Sequence, residues 1–177
     1  MVLPLLKNAL RELKVDYLHD SGIFLRRALT RYLALALFRL IDKPNESGKT
    51  GVTASISSLL EMAESEGVLD LDQIRKFTSD FEKIKTDAGE GEYDLVQALR
   101  DLRTIQVAHS IIPRKDPTDQ VWAHHMVDFG EAIFDFVVRL ETALSEATGV
   151  ILNDLRKNAE AFEATAGQFW RTLTSMK

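Results

Sequence analysis

The chain contains no cysteine. That absence excludes a disulfide framework, a thiol nucleophile and any cysteine-ligated zinc or iron–sulfur site. Proline is scarce, and Pro44, Pro113 and Pro117 fall where helical patterns stop. No long apolar run exists. The longest, Tyr32 to Phe38, continues into Arg39 and follows Arg26, Arg27 and Arg31, well short of the ~18 uncharged apolar residues that span a bilayer. Lys7, Arg11 and Glu12 stand where a signal peptide has its apolar centre, so the chain is expected to be cytoplasmic. No Gly-rich dinucleotide motif and no Gly-x-Ser-x-Gly elbow occurs. Gly48-Lys49-Thr50 resembles the end of a phosphate-binding loop, but the first glycine and a preceding strand are missing. Basic charge is also in deficit. The net charge of −5 disfavours coating long stretches of duplex DNA, which needs a net basic face.

What remains is a chain of 177 residues, 45% of them apolar, suited to one domain over 1–177. Its pattern is helical throughout, with no convincing period-2 alternation. A first helix is expected from about Leu5 to Leu18, and Ser21 and Gly22 to separate it from a second over Ile23 to Ile41. The second is apolar on most of its circumference (Phe24, Leu25, Leu29, Leu33, Leu37 and Phe38 among others), which places it centrally. A third begins at a cap on Thr53 or Ser55 and ends near Gly67. A fourth covers Leu71 to Lys85, and Asp87 to Glu92 reads as a linker. A fifth covers Tyr93 to His109. A long sixth, Asp119 to Ala147, carries the stripe Trp122, Met126, Phe129, Ile133, Val137, Leu140 and Leu144. Gly149 breaks it from a last helix ending near Leu173. The fold class expected is all-α, an antiparallel helical bundle.

The fifth of these helices carries the chemistry. At about 100° per residue with Leu99 at zero, Leu95 lies at roughly −40°, Val96 at +60° and Leu102 at −60°. Arg103, at roughly +40°, and Gln106, at −20°, then interrupt the same apolar face, with His109 at about −80° if the helix persists. An Arg and a His on a half-buried face must be paired or solvated. The residues alone leave two readings open. His109 caps a helix end while Arg103 pairs with a carboxylate in the bundle, or both meet an anion. Residues 97–115 hold Arg100, Arg103, Arg114 and Lys115 against Asp101 alone, net +3, which leaves −8 on the rest of the chain. This segment is the basic island of an acidic protein, and dimerisation would double its local charge.

The stretch from Leu99 to Ser110, Leu-Arg-Asp-Leu-Arg-Thr-Ile-Gln-Val-Ala-His-Ser, resembles the signature helix of the HEPN superfamily, an Arg followed after four to six residues by a His. Upstream, Phe38-Arg39-Leu40-Ile41-Asp42-Lys43-Pro44, followed by a polar loop and the Ser-Leu-Leu helix within Ser47 to Leu60, resembles the abortive-infection branch of that superfamily. The resemblance covers about residues 20 to 145. It implies a HEPN-like bundle with additional helices, two-fold dimerisation, and metal-independent RNA cleavage at a composite dimer cleft. Arg103 and His109 would be the catalytic pair. Arg100, Thr104, Gln106, Arg114 and Lys115 would support it or bind phosphate. No cofactor and no metal are called for. Implied partners are a second copy, RNA as substrate, and a cognate antitoxin or inhibitor. Many active members place Asn, Asp or His directly after the motif Arg, where this chain has Thr104, a weaker acceptor than a carboxylate. That departure motivates the alternative of a catalytically inactive HEPN-type module that binds RNA, a nucleotide or another protein.

Other constellations are weaker. His124 and His125 are adjacent, so on a helix they diverge by about 100° and do not simply face one metal. Asp16 and His19 share a helix face without the Glu-x-x-His pairs of di-metal bundles. Trp122 and Trp170 read as core or interface anchors.

Overall fold

The computed structural model describes residues 20–42, 55–89, 94–108, 123–150 and 154–175, with side chains described at 28–42, 55–89, 94–102, 125–150 and 154–168. Helices account for nearly all of them: α1 (Asp20–Ile41), α2 (Ile56–Ser65), α3 (Leu71–Gly89), α4 (Leu95–Ala108), α5 (Ala123–Thr148) and α6 (Leu155–Ser175). There is no strand among the described residues, and the all-α class follows. The expected helix over Leu5 to Leu18 lies outside the described residues.

Local sequence sets most of the ends. Ser55 caps α2: its Oγ accepts from the Ser58 amide at 3.2 Å, and the two hydroxyls, both buried, lie 3.0 Å apart. The helix stops where Gly67 turns to φ +64°. There Gly67 N–H donates to Glu64 O at 3.0 Å and Val68 N–H to Ala63 O at 2.9 Å, the paired bonds of a Schellman ending. Asp70 and Gln73 then close a reciprocal capping box on α3, Gln73 N–H to Asp70 Oδ1 at 2.7 Å and Asp70 N–H to Gln73 Oε1 at 3.0 Å. Gly149, at φ +67°, ends α5 as expected, and Asp154 caps α6 through the Lys157 amide at 2.9 Å.

Two boundaries differ from expectation. Ser21 and Gly22 do not separate helices; both lie inside α1, which runs from Asp20. A single glycine costs a helix only about 1 kcal/mol, less than a long apolar helix recovers by packing. The helix α3 also continues through Asp87, Ala88 and Gly89, residues that read as linker. Ile84 and Ala88 pack on the core in step with Ile74, Phe77 and Phe81, so the last turn buries apolar surface that a linker would leave in water.

One core unites α1 to α5. Against α1 pack α2, α4 and α5, and against α3 pack α2, α4 and α5. The inner face of α1 is Leu33, Ala34, Leu37, Phe38 and Ile41, whereas Tyr32 on the other side is 63% exposed. Over its described side chains, residues 28–42, the helix buries one face against α2, α4 and α5. The stripe of α5 is buried or partly buried from Met126 to Leu144. Phe136, absent from the expected stripe, is wholly buried. Its ring meets Phe77 edge-on at 5.8 Å and Phe81 at 5.5 Å, favourable aromatic geometries. An ion pair flanks this cluster, Arg139 Nη1 donating to Asp80 Oδ2 at 2.7 Å. Being half exposed, it is worth at most about 1 kcal/mol. The final helix is tied to α5 by Arg156 Nη2 on Asp135 Oδ1 at 3.3 Å and by Leu155 N–H on Glu141 Oε2 at 3.4 Å.

Candidate functional site

The helix that carries the Arg–His motif is α4. Asp94 starts it, its Oδ1 accepting from the Gln97 amide at 2.9 Å. The Gln97 side chain reaches one turn on, its Nε2 donating to Asp101 Oδ1 at 2.8 Å. The one carboxylate of the basic island therefore has an oxygen engaged along the exposed side of the helix. On the other side, Leu95, Val96, Leu99 and Leu102 are all buried, Leu99 and Leu102 to 1% exposure. They face α1 and α3. Each such side chain contributes about 1.5–3 kcal/mol by leaving water. The register of α4 against the core is thus set by four apolar anchors.

That register places the candidates along one helix. Position 103 follows Leu99 by four and Val96 by seven; position 106 follows Leu102 by four and Leu99 by seven. Both continue the inward face of the first two turns. Thr104 lies on the same helix, and Arg100 is on its exposed side. The side chains of Arg103, Thr104 and Gln106 are outside the described part of α4. The described helix ends at Ala108, so His109, Arg114 and Lys115 lie outside the described residues. The structure therefore brings Arg100, Arg103, Thr104 and Gln106 onto one helix and does not describe how the other three stand to them.

Of the weaker constellations, His125 is exposed on α5. Asp16, His19, Gly48, Lys49, Thr50 and Trp122 lie outside the described residues. Both His124 and Trp170 lie within helices, α5 and α6. No cluster of three or more His, Asp or Glu able to hold a metal occurs among the described residues. No described helix is long and apolar enough to cross a membrane. Sequence reasoning missed two charged groups at the core edge. Lys85 pairs with Glu82 and sits 4.7 Å from the centre of the Phe81 ring. Arg139 stands 5.6 Å from the centre of the Phe136 ring. The contacts of Lys85 stay within α3, whereas Arg139 joins α5 to α3 through Asp80. The Lys85–Glu82 pair is legible as an i, i+3 spacing, whereas Asp80 and Arg139, fifty-nine residues apart, leave no local signal.

Compared with known proteins, the chain matches no family model, no curated protein and no solved structure. Its functional reading rests on its own residues and on the resemblance that their sequence carries.

Proposed function

We propose that this chain is a metal-independent endoribonuclease of the HEPN type, acting in a bacterial defence or toxin–antitoxin system. In this reading residues 1–177 form one antiparallel HEPN-like bundle and two copies pair their α4 helices across a two-fold axis. The protein works in the cytoplasm on RNA, under a cognate antitoxin or inhibitor, with no cofactor or metal. The observation that carries the reading is the register of α4. Four buried apolar residues fix the first two turns of the helix, and by helical spacing positions 103 and 106 follow on their side, shortly before His109 in the sequence. A packing helix has no use for those groups at those positions unless something polar meets them.

The chemistry assigned to the pair is transesterification. His109 takes the proton of a ribose 2′-hydroxyl, its ordinary pKa lying near working pH. The 2′-oxygen forms a bond to phosphorus as the bond to the 5′-oxygen breaks. The partner's His109 supplies a proton to that leaving oxygen. Arg103 donates to the phosphate and stabilises its added charge. Arg100, Arg114 and Lys115 draw the backbone in, and Thr104 and Gln106 orient the phosphate or the catalytic side chains. The products are a 2′,3′-cyclic phosphate and a 5′-hydroxyl. The test is incubation of purified protein with total RNA in EDTA, followed by analysis of the cut ends. Cleavage leaving 2′,3′-cyclic phosphate is expected.

Thr104 favours a second reading, a HEPN-type module that binds RNA, a nucleotide or a protein without cutting. Tight RNA binding by a well-folded dimer, with no cyclic-phosphate product, would select it. A substitution Thr104→Asn that then restores cleavage would place the defect at that residue.

A further inference from the structure

One corner of the described surface has a chemistry that the proposed function does not use. Of the six large apolar side chains exposed among the described residues, three stand between positions 59 and 71: Leu59 at 41%, Met62 at 49% and Leu71 at 58%. Ile56, Leu60 and Ala63 turn inward from α2, while Leu59 and Met62, three residues apart, are neighbours on its outer side. The frame beneath them is fixed. The Schellman bonds at Gly67 and the capping box of Asp70 and Gln73 brace the turn that leads to Leu71. These side chains are therefore presented on hydrogen-bonded backbone rather than on a loose loop.

Charge around Leu59 and Met62 is of one sign along the sequence, whereas Leu71 has the exposed Arg75 one turn on along α3. Positions 50–74 contain no Lys or Arg and five acidic residues, Glu61, Glu64, Glu66, Asp70 and Asp72, all exposed. Asp70 is engaged as a cap, and Asp72 lies 3.5 Å from Arg75. None of Glu61, Glu64 and Glu66 pairs with a basic side chain among the described residues. A surface of exposed apolar side chains beside carboxylates that have no basic partner among the described residues repels nucleic acid and anionic lipid. It also repels the same corner of a second copy, which carries the same charge.

We propose that the α2–α3 corner is a docking site for a basic amphipathic helix of another protein. Apolar side chains of that helix cover Leu59, Met62 and Leu71, and its Lys or Arg residues meet Glu61, Glu64 and Glu66. The proposal does not depend on ribonuclease activity. A surface this small binds weakly unless the partner extends beyond it.

The test is a titration of the isotopically labelled full chain with three synthetic helical peptides of about 15 residues, followed by amide chemical shifts. One peptide is Leu/Lys, one Ser/Lys of equal charge, and one Leu/Glu. The Leu/Lys peptide is expected to shift the amides of residues 59–72, with a dissociation constant of roughly 10⁻⁵–10⁻⁴ M. Raising salt from about 0.05 to 0.3 M weakens it several-fold. The double substitution Leu59→Ser, Met62→Ser weakens it by about tenfold or more. Because those changes touch surface side chains, the fold is checked by melting. The triple change of Glu61, Glu64 and Glu66 to Gln supplies a second variant of unchanged shape, with the same loss expected. Equal binding by Ser/Lys, binding by Leu/Glu, shifts centred elsewhere, or unchanged affinity in both variants overturns the proposal. So does a self-association of the chain that the double substitution abolishes.

Discussion

Helices α3 and α4 pack on the same core and each begins at an aspartate cap, yet the residues that follow on their inner faces differ in kind along the sequence. The inner stripe of α3 is Ile74, Phe77, Phe81, Ile84 and Ala88, apolar from first to last. It even carries the helix past the point where Asp87 and Gly89 read as linker. The described stripe of α4 is apolar through Leu95, Val96, Leu99 and Leu102, and helical spacing brings Arg103 and Gln106 next in the sequence. Packing explains the whole of α3. In α4 the described packing runs to Leu102, and the polar residues that follow in the sequence are what the proposed function has to account for.

The comparison breaks most visibly at Phe81. Replacing this buried ring, which touches Phe136 and lies under Lys85, with Ala should cost about 3–5 kcal/mol in urea unfolding. RNA cleavage per folded molecule should not change. A specific loss of cleavage without loss of stability would place α3 in the site and erase the contrast. At Arg103 the opposite split is expected. Arg103→Leu should leave the melting temperature at or above that of the wild type and lower cleavage by about 10²-fold or more. If melting falls while RNA binding is untouched, Arg103 is a structural ion-pair partner and α4 is a packing helix like α3. The smallest effect concerns the helix starts. Asp70→Ala and Asp94→Ala each remove a cap and should each cost about 1 kcal/mol. A larger cost at Asp70, read from chemical unfolding, would measure the return bond from Asp70 N–H to Gln73 that the start of α4 lacks.

Much of this contrast is legible in the amino-acid sequence alone. Gly67 and a cap at Thr53 or Ser55 mark the ends of α2 through cap and turn chemistry, the structure choosing Ser55, and Leu95, Val96, Leu99 and Leu102 announce the buried face of α4 through spacing. Other features are not legible, for identifiable reasons. Whether Asp87 to Gly89 are helix or linker depends on whether Ala88 finds a core to pack on, which is a tertiary fact. The expected stripe of α5 stepped from Ile133 to Val137 and passed over Phe136, because steps of three and of four both stay on one helix face. The Asp80–Arg139 pair joins distant parts of the chain. At the candidate site, the register of positions 103 and 106 follows from the sequence. The angle of His109 does not, since it assumes that the helix continues past Ala108.

The central claim is that α4 ends in a catalytic Arg–His pair rather than in a cap. The most direct measurement compares wild type and His109→Ala, matched for melting temperature, on the same RNA in EDTA. The account predicts cleavage to 2′,3′-cyclic phosphate by the wild type and a loss of about 10²–10⁴-fold in the variant at unchanged stability. Cleavage by folded His109→Ala at the wild-type rate would contradict it.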